Sequence, residues 1–258
     1  MNYIGIDIGS TCAKTIVLNE NKEIIQEFVQ PTGWSSVDTA EEILQKLKLA
    51  GINLSDDSSC CVATGYGRIS VPYADKAVTE ITCHALGAVH LFQQPDLTVI
   101  DIGGQDTKII QIEQGFVKDF IMNDKCAAGT GRFLEVMANT LSLRPNEMFE
   151  LARRGSDTTI SSMCTVFAES EVIGLIGKGE PKENIAYAVV NSTIRKVAAQ
   201  VSRMNGEMST FCLTGGLCEC EYIREALSKE LGKEVISCPD ARYAGAIGAA
   251  LSAMKIRK

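Results

Sequence analysis

Two short stretches of this 258-residue chain hold the residue types that phosphate chemistry needs. The first is Asp7-Ile8-Gly9-Ser10-Thr11, continued by Cys12, Ala13 and Lys14; the second is Asp101-Ile102-Gly103-Gly104-Gln105-Asp106. Glycine lets the backbone turn sharply and approach a phosphate with its N–H groups exposed as anion donors. Ser10 and Thr11 add hydroxyl donors, and Lys14 adds a positive charge. The carboxylates of Asp7 and Asp101 would repel an anion. They make sense beside Mg2+, which would sit between carboxylate and phosphates, mostly through water. Thr214-Gly215-Gly216 is a third glycine turn, at the end of a strand and before a helix. One Asp-x-Gly hairpin is usually only a turn. Two of them facing each other would clamp a polyphosphate in a cleft between two halves of the chain.

Ten cysteines are a large number for this length. With no export signal to suggest disulfides, so many thiols point to metal, redox chemistry or plain burial. Only two histidines exist, His84 and His90, which argues against a His-rich zinc site. Cys126 and Cys164 stand apart because each precedes a helical pattern. The free N–H groups of a helix start favour a thiolate, and equally an anionic iron–sulfur cluster. A 4Fe–4S cluster takes four thiolates. One chain offers two in matching settings, and a symmetric dimer would supply four. The competing reading is that both are small buried hydrophobes, the reading adopted for Cys12, Cys60, Cys61, Cys83, Cys212 and Cys238. Cys218-Glu219-Cys220 could be a metal or redox pair, but is read as structural.

The elements that must carry these residues repeat. Ile6-Asp7-Ile8-Gly9, Lys14 and Ile16 recur 94 residues on, from Asp7 to Asp101 and from Lys14 to Lys108. Each copy reads as strand, glycine turn, strand. Val62-Ala63-Thr64-Gly65 is echoed by Cys212-Leu213-Thr214-Gly215, each a strand ending in Thr-Gly. This points to duplication. Helical spacing predicts helices over 37–48, 75–92, 131–141, 145–153, 165–176, 182–204 and 219–231, the last ending at Gly232. A short strand over 234–237 and a small-residue helix over 243–254 follow. The expected organisation is a first subdomain over 1–94 and a second over 95–242 that carries the cysteines. A terminal helix over 243–258 would cross back to the first.

Composition narrows the classes. Hydrophobic residues make up 45% and charged residues 22%, so the chain is globular rather than disordered. The net charge of −7 disfavours a nucleic-acid partner. No apolar run approaches the roughly 20 residues of a membrane span, and no signal peptide is evident at the N-terminus. Both predict a cytoplasmic protein.

The order of the glycine turns, with Ala244-Gly245-Ala246-Ile247-Gly248-Ala249 after them, resembles the actin-like ATPase superfamily, which includes sugar kinases and actin. The implied fold is α/β, a duplicated actin-like (RNase H-like) ATPase with a nucleotide cleft between two similar subdomains. Tyr66-Gly67-Arg68, Asp75-Lys76, Cys83-His84, the Asp101 loop and two cysteine-bearing stretches narrow it further. Those stretches are Asn123-Asp124-Lys125-Cys126-Ala127-Ala128-Gly129-Thr130-Gly131-Arg132-Phe133 and Cys164-Thr165-Val166-Phe167-Ala168-Glu169-Ser170-Glu171. Over essentially the whole chain this is similar to the 2-hydroxyacyl-CoA dehydratase activators and to the ATPase subunits of benzoyl-CoA reductase.

That resemblance implies a homodimer with one 4Fe–4S cluster bridged by Cys126 and Cys164 of both copies. Each subunit would bind ATP and Mg2+. A ferredoxin or flavodoxin would reduce the dimer, which would pass one low-potential electron to a dehydratase or reductase as ATP is hydrolysed to ADP. Ser10, Thr11, Cys12, Ala13 and Lys14 match the first phosphate loop, and Gly103, Gly104 and Gln105 the second. Gln105 would orient the attacking water. Gly215 and Gly216 match the adenosine loop, while Glu135 and Arg242 are expected to touch the nucleotide. Met208 to Cys220 departs most from the family picture. A small-molecule kinase of the same superfamily is the main alternative, with Asp101 as base and no need for Cys126 or Cys164. An actin-like assembly protein is the third.

Overall fold

The computed structural model describes residues 1–54, 58–162, 164–204 and 210–256. Met163, Met208 and the last two positions of the expected terminal helix lie outside them. The chain divides into one unit formed by 1–97, 112–118 and 240–258, and a second formed by 98–111 and 119–239.

The first unit opens with strands β1 (Asn2–Ile8), β2 (Cys12–Leu18) and β3 (Ile24–Pro31), then helix α1 (Ser36–Leu49). Strands β4 (Ser59–Thr64) and β5 (Lys76–Ala77) and helix α2 (Glu80–Phe92) complete this stretch. The next stretch runs β6 (Leu97–Ile102), β7 (Thr107–Glu113), β8 (Phe116–Asn123), α3 (Gly131–Thr140), α4 (Pro145–Ala152), α5 (Thr165–Gly177) and α6 (Lys182–Val201). It ends with β9 (Thr210–Gly215), α7 (Glu221–Leu231) and β10 (Val235–Ile236), before α8 (Ala244–Ile256).

Each unit is built on one five-stranded sheet. The orders are β3-β2-β1-β4-β5 and β8-β7-β6-β9-β10, the same arrangement twice. In the first, β1 pairs antiparallel with β2 and parallel with β4, which sets Asp7 opposite Lys14. In the second, β9 and β10 are parallel. The 94-residue repeat therefore maps β1 onto β6 and β2 onto β7.

The core of the first sheet follows from alternation. Ile4, Ile6 and Ile8 of β1 pack with Ile43 and Leu47 of α1, and each fully buried aliphatic contributes about 2 kcal/mol. The small residues of α8 let it lie against β1 and α2. A Cβ on Gly5 would stand 1.9 Å from the Ala246 carbonyl oxygen, and one on Gly87 1.8 Å from that of Ala244.

Two expectations change. The segment expected to be helical from residue 75 is extended first: β5 pairs with β4, the Asp75 N–H donates to Cys61 O and the Val78 N–H to Ala63 O. These ladder bonds take the donors a helix would use, so α2 starts only at Glu80. The helix expected over 182–204 ends at Val201. Strands β3 and β8 are edges, mostly exposed. Their half-buried faces do not alternate cleanly, which is why periodicity did not reveal them.

Candidate functional site

Both Asp-Gly stretches form the same turn. In the first unit the Gly9 N–H donates to Cys12 O at 3.2 Å; in the second the Gly103 N–H donates to Asp106 O at 2.9 Å. The first turn is tied down from the end of β3, where the Thr32 hydroxyl donates to Gly9 O and the Thr32 N–H to Thr11 O. Thr11 is exposed, and Ser10, Cys12 and Lys14 are half-buried. Ala13 is buried in the core, so only its backbone is available at the turn.

The second turn carries an ion cluster that the sequence reading did not place in the site. Lys108 is 1% exposed, with Nζ 3.2 Å from Asp101 Oδ2 and 2.8 Å from Asp106 Oδ2. A buried ammonium is costly unless paired, and two carboxylates satisfy that need. The trio carries a net charge of −1, which suits a cation held through water. The Thr214 hydroxyl donates to Asp101 Oδ1 at 3.0 Å. Thr214 is fully buried, so of its glycine turn Gly216 is the exposed part. Lys108 was visible in the sequence as the repeat mate of Lys14. Its burial was not, because that needs Asp106 brought against it.

The Thr-Gly echo has a matching role in each copy. Gly65 and Gly215 both have φ +83°, a conformation other residues adopt at a cost. A Cβ on Gly65 would lie 2.4 Å from Asp7 Oδ1 and 2.6 Å from Ile8 O; on Gly215, 2.6 Å from both Asp101 Oδ1 and Ile102 O. Each glycine lets a second strand end press against the aspartate of its own unit.

Gln105 is exposed at the tip of the second turn. The Gly103 and Gly104 carbonyls accept the N–H groups of Gly131 and Arg132 at 2.9 and 2.7 Å. The start of α3 thus braces the turn. Glu135, on the exposed face of α3, pairs with Arg132 at 2.9 Å. Arg242 is half-buried in a 3-10 turn over Pro239–Tyr243. The second unit gathers Asp101, Gly103, Gly104 and Gly215; the first gathers Asp7 with residues 10–14.

Among ten cysteines only Cys126 and Cys164 are exposed. Cys60, Cys61, Cys83, Cys212 and Cys218 are buried; Cys12, Cys220 and Cys238 are half-buried, so Cys12 and Cys238 are less enclosed than expected. Burial pushes the thiols of Cys61 and Cys212 well up and that of Cys83 to about 11. Burial also raises Cys220. These are neutral thiols, unsuited to metal without further cost. Among the described residues no group of three or more His, Cys, Asp or Glu side chains converges on one point.

The settings of the two exposed cysteines differ from each other. Cys164 is the N-cap residue of α5, as expected. Cys126 does not sit at a helix start. It lies in the turn between β8 and α3, five residues before Gly131, and Thr130 is the N-cap. Its turn is held by side chains: Asn123 Nδ2 donates to Cys126 O at 2.8 Å and Ala128 O at 3.2 Å, and the Thr130 hydroxyl to Ala127 O at 2.7 Å. The loop before Cys164 is held by Glu171, whose carboxylate accepts the N–H groups of Ser161 and Ser162. Desolvation works against the charge of Glu171, yet those donors outweigh it and keep its carboxyl below the usual range.

A family model described as the BadF/BadG/BcrA/BcrD ATPase family matches residues 4–253. An (R)-2-hydroxyglutaryl-CoA dehydratase activating ATPase from Acidaminococcus fermentans is 43% identical, over 98% of this chain and 96% of its own length. The crystal structure of the (R)-2-hydroxyglutaryl-CoA dehydratase component A from Acidaminococcus fermentans superposes with a TM-score of 0.91 at 42% identity, covering 99% of this chain and 98% of that one. The activator of 2-hydroxyisocaproyl-CoA dehydratase from Clostridium difficile, solved with bound ADPNP, gives a TM-score of 0.88 at 35% identity over 99% and 95%. The fold is α/β and actin-like, as the resemblance implied. No helix of the described residues is long and apolar enough to cross a membrane.

Proposed function

The chain belongs to the BadF/BadG/BcrA/BcrD ATPase family, and from that premise we propose that it is an ATP-driven one-electron activator of a 2-hydroxyacyl-CoA dehydratase or a related reductase. The observation that carries this is the exposure of Cys126 and Cys164 among eight more enclosed cysteines. Two thiols make half of a four-thiolate set, so a homodimer would be the complete holder. A 4Fe–4S cluster held there would supply a low-potential one-electron couple, refilled by a ferredoxin or flavodoxin. Asn123 and Glu171 fix the backbone around the two thiols, so the sulfurs are presented rather than left to search.

The nucleotide is assigned to the two Asp-Gly turns. Ser10, Thr11 and the backbone through Lys14 would bind phosphate, with the Lys14 ammonium adding charge. Gly104 and Gln105 present the exposed face of the second turn, where the Gln105 amide would orient the attacking water. Asp7, and Asp101 with its net-negative trio, would hold Mg2+ through water. Gly215, Gly216, Glu135 and Arg242 are assigned to the rest of ATP.

Anaerobic purification with iron and sulfide analysis tests this reading. About four irons per dimer are expected in a brown protein. Cys126→Ser and Cys164→Ser should each abolish the iron while leaving ATP binding intact, and Cys218→Ser should retain it. Iron that survives both exposed-cysteine changes would overturn the ligand assignment.

A further inference from the structure

We propose that the second Asp-Gly turn and the Cys126 turn move as one body, joined by Thr107 as a positioning residue. Occupancy of the turn is then felt at Cys126 more than at Cys164. This rests on the nucleotide reading above and adds to it the route by which one thiol senses the ligand.

The contacts form a closed set. Gly103 and Gly104 carry the turn, and their carbonyls accept the first two N–H groups of α3. Thr107, the first residue of β7, is fully buried and its hydroxyl donates to Gly129 O at 2.6 Å. Gly129 lies between Cys126 and α3, and its φ of +85° marks the bend. A Cβ there would meet Lys196 of α6 at 2.9 Å, so the bend has a wall behind it. Asn123 closes the other end of the turn on Cys126 O. The segment from Cys126 to Arg132 is thus fastened to the second turn at Gly103, Gly104 and Thr107. A shift of that turn by a bound phosphate would carry the segment along. The Cys164 loop is fastened elsewhere, to Glu171 on its own helix, and α5 meets α3 through Thr140 and Glu169.

The repeat provides an internal control. Ala13 stands where Thr107 stands, 94 residues earlier, and the same backbone turn forms there. The hairpin therefore does not need the hydroxyl. What the second copy has in addition is the cysteine-bearing segment, and the hydroxyl is spent on it.

The test uses the full-length, iron-free protein under anaerobic, reducing conditions. Alkylation rates of Cys126 and Cys164 are read by mass spectrometry, with and without the magnesium salt of a nonhydrolysable ATP analogue whose binding is measured in parallel. The nucleotide is expected to change the Cys126 rate by about fivefold or more, the lower end of ordinary site-to-site coupling, and the Cys164 rate clearly less. Thr107→Val should erase the Cys126 response with nucleotide affinity retained, and Thr107→Ser should keep it. Equal responses at both cysteines, no response with nucleotide bound, or an unchanged response in Thr107→Val would each overturn the proposal. Should Thr107→Val fail to fold, the wild-type comparison of the two cysteines and the Thr107→Ser rescue still decide it. Absence of nucleotide binding would instead sink the nucleotide reading, and the relay with it.

Discussion

At the first Asp-Gly turn Lys14 is half-buried across from Asp7, whereas at the second Lys108 is sealed between Asp101 and Asp106. The turns share their backbone hydrogen bond, their sheet position and their Thr-Gly neighbour. One difference stands where the second strand of each hairpin begins. Position 106 is aspartate, while its mate 94 residues earlier is Cys12. A second carboxylate offsets the cost of burying an ammonium, and a thiol does not. Duplication thus produced one turn with a lysine near the surface, able to meet an anion. It produced another whose lysine is structural and whose net charge is negative. The threonine pair diverged as well: Thr214 donates to Asp101, but Thr64 donates to Val78 O.

The comparison breaks most readily at Lys108. Lys108→Met leaves two carboxylates without their shared cation, and unfolding stability should fall by about 3–5 kcal/mol in urea titrations. A loss below about 1 kcal/mol would show that the trio is not the internal support described. Next come the paired glycines. Gly65→Ala and Gly215→Ala each force a strained φ and a clash with an aspartate, so each should cost about 2–4 kcal/mol. Similar melting shifts for both would sharpen the equivalence of the copies; a harmless change at either would break it.

Lys14→Met should cost about 1 kcal/mol of stability or less, as charges still reached by solvent do, yet weaken ATP binding measured by titration calorimetry. Unchanged affinity would remove Lys14 from the phosphate site. The smallest effect concerns a device found in the second copy, the clamp of Glu171 on the Cys164 loop. Its carboxyl is held below the ordinary range in the folded chain. Its support is therefore present above the unfolded carboxylate value and lost as pH falls through the folded one. Glu171→Gln should lower stability slightly at neutral pH and converge on the wild type in acid, flattening the acid side of the stability profile. An unaltered acid limb would show that the clamp carries no charge-dependent support.

Much of the fold was legible. The 94-residue repeat foretold the two like sheets, because strand, glycine turn and strand are local patterns. Helices such as α1, with Asp38 in its first turn, announced themselves by spacing, and the structure adds the Ser35 cap. Edge strands β3 and β8 did not, since an exposed strand has little reason to alternate. The stretch at Asp75–Thr79 was misread because pairing with β4 overrode its local preference.

In the candidate site, residue types and order marked the two Asp-Gly turns as candidate phosphate sites and singled out Cys126 and Cys164 among the thiols. Tertiary structure decided which groups are free to act. It buried Lys108 against a carboxylate two residues away and another across the sheet, and set Cys126 in a braced turn rather than on a helix end. It also left two of ten thiols in the open. Motifs are written in neighbouring residues, but burial and charge pairing depend on which distant elements arrive beside them.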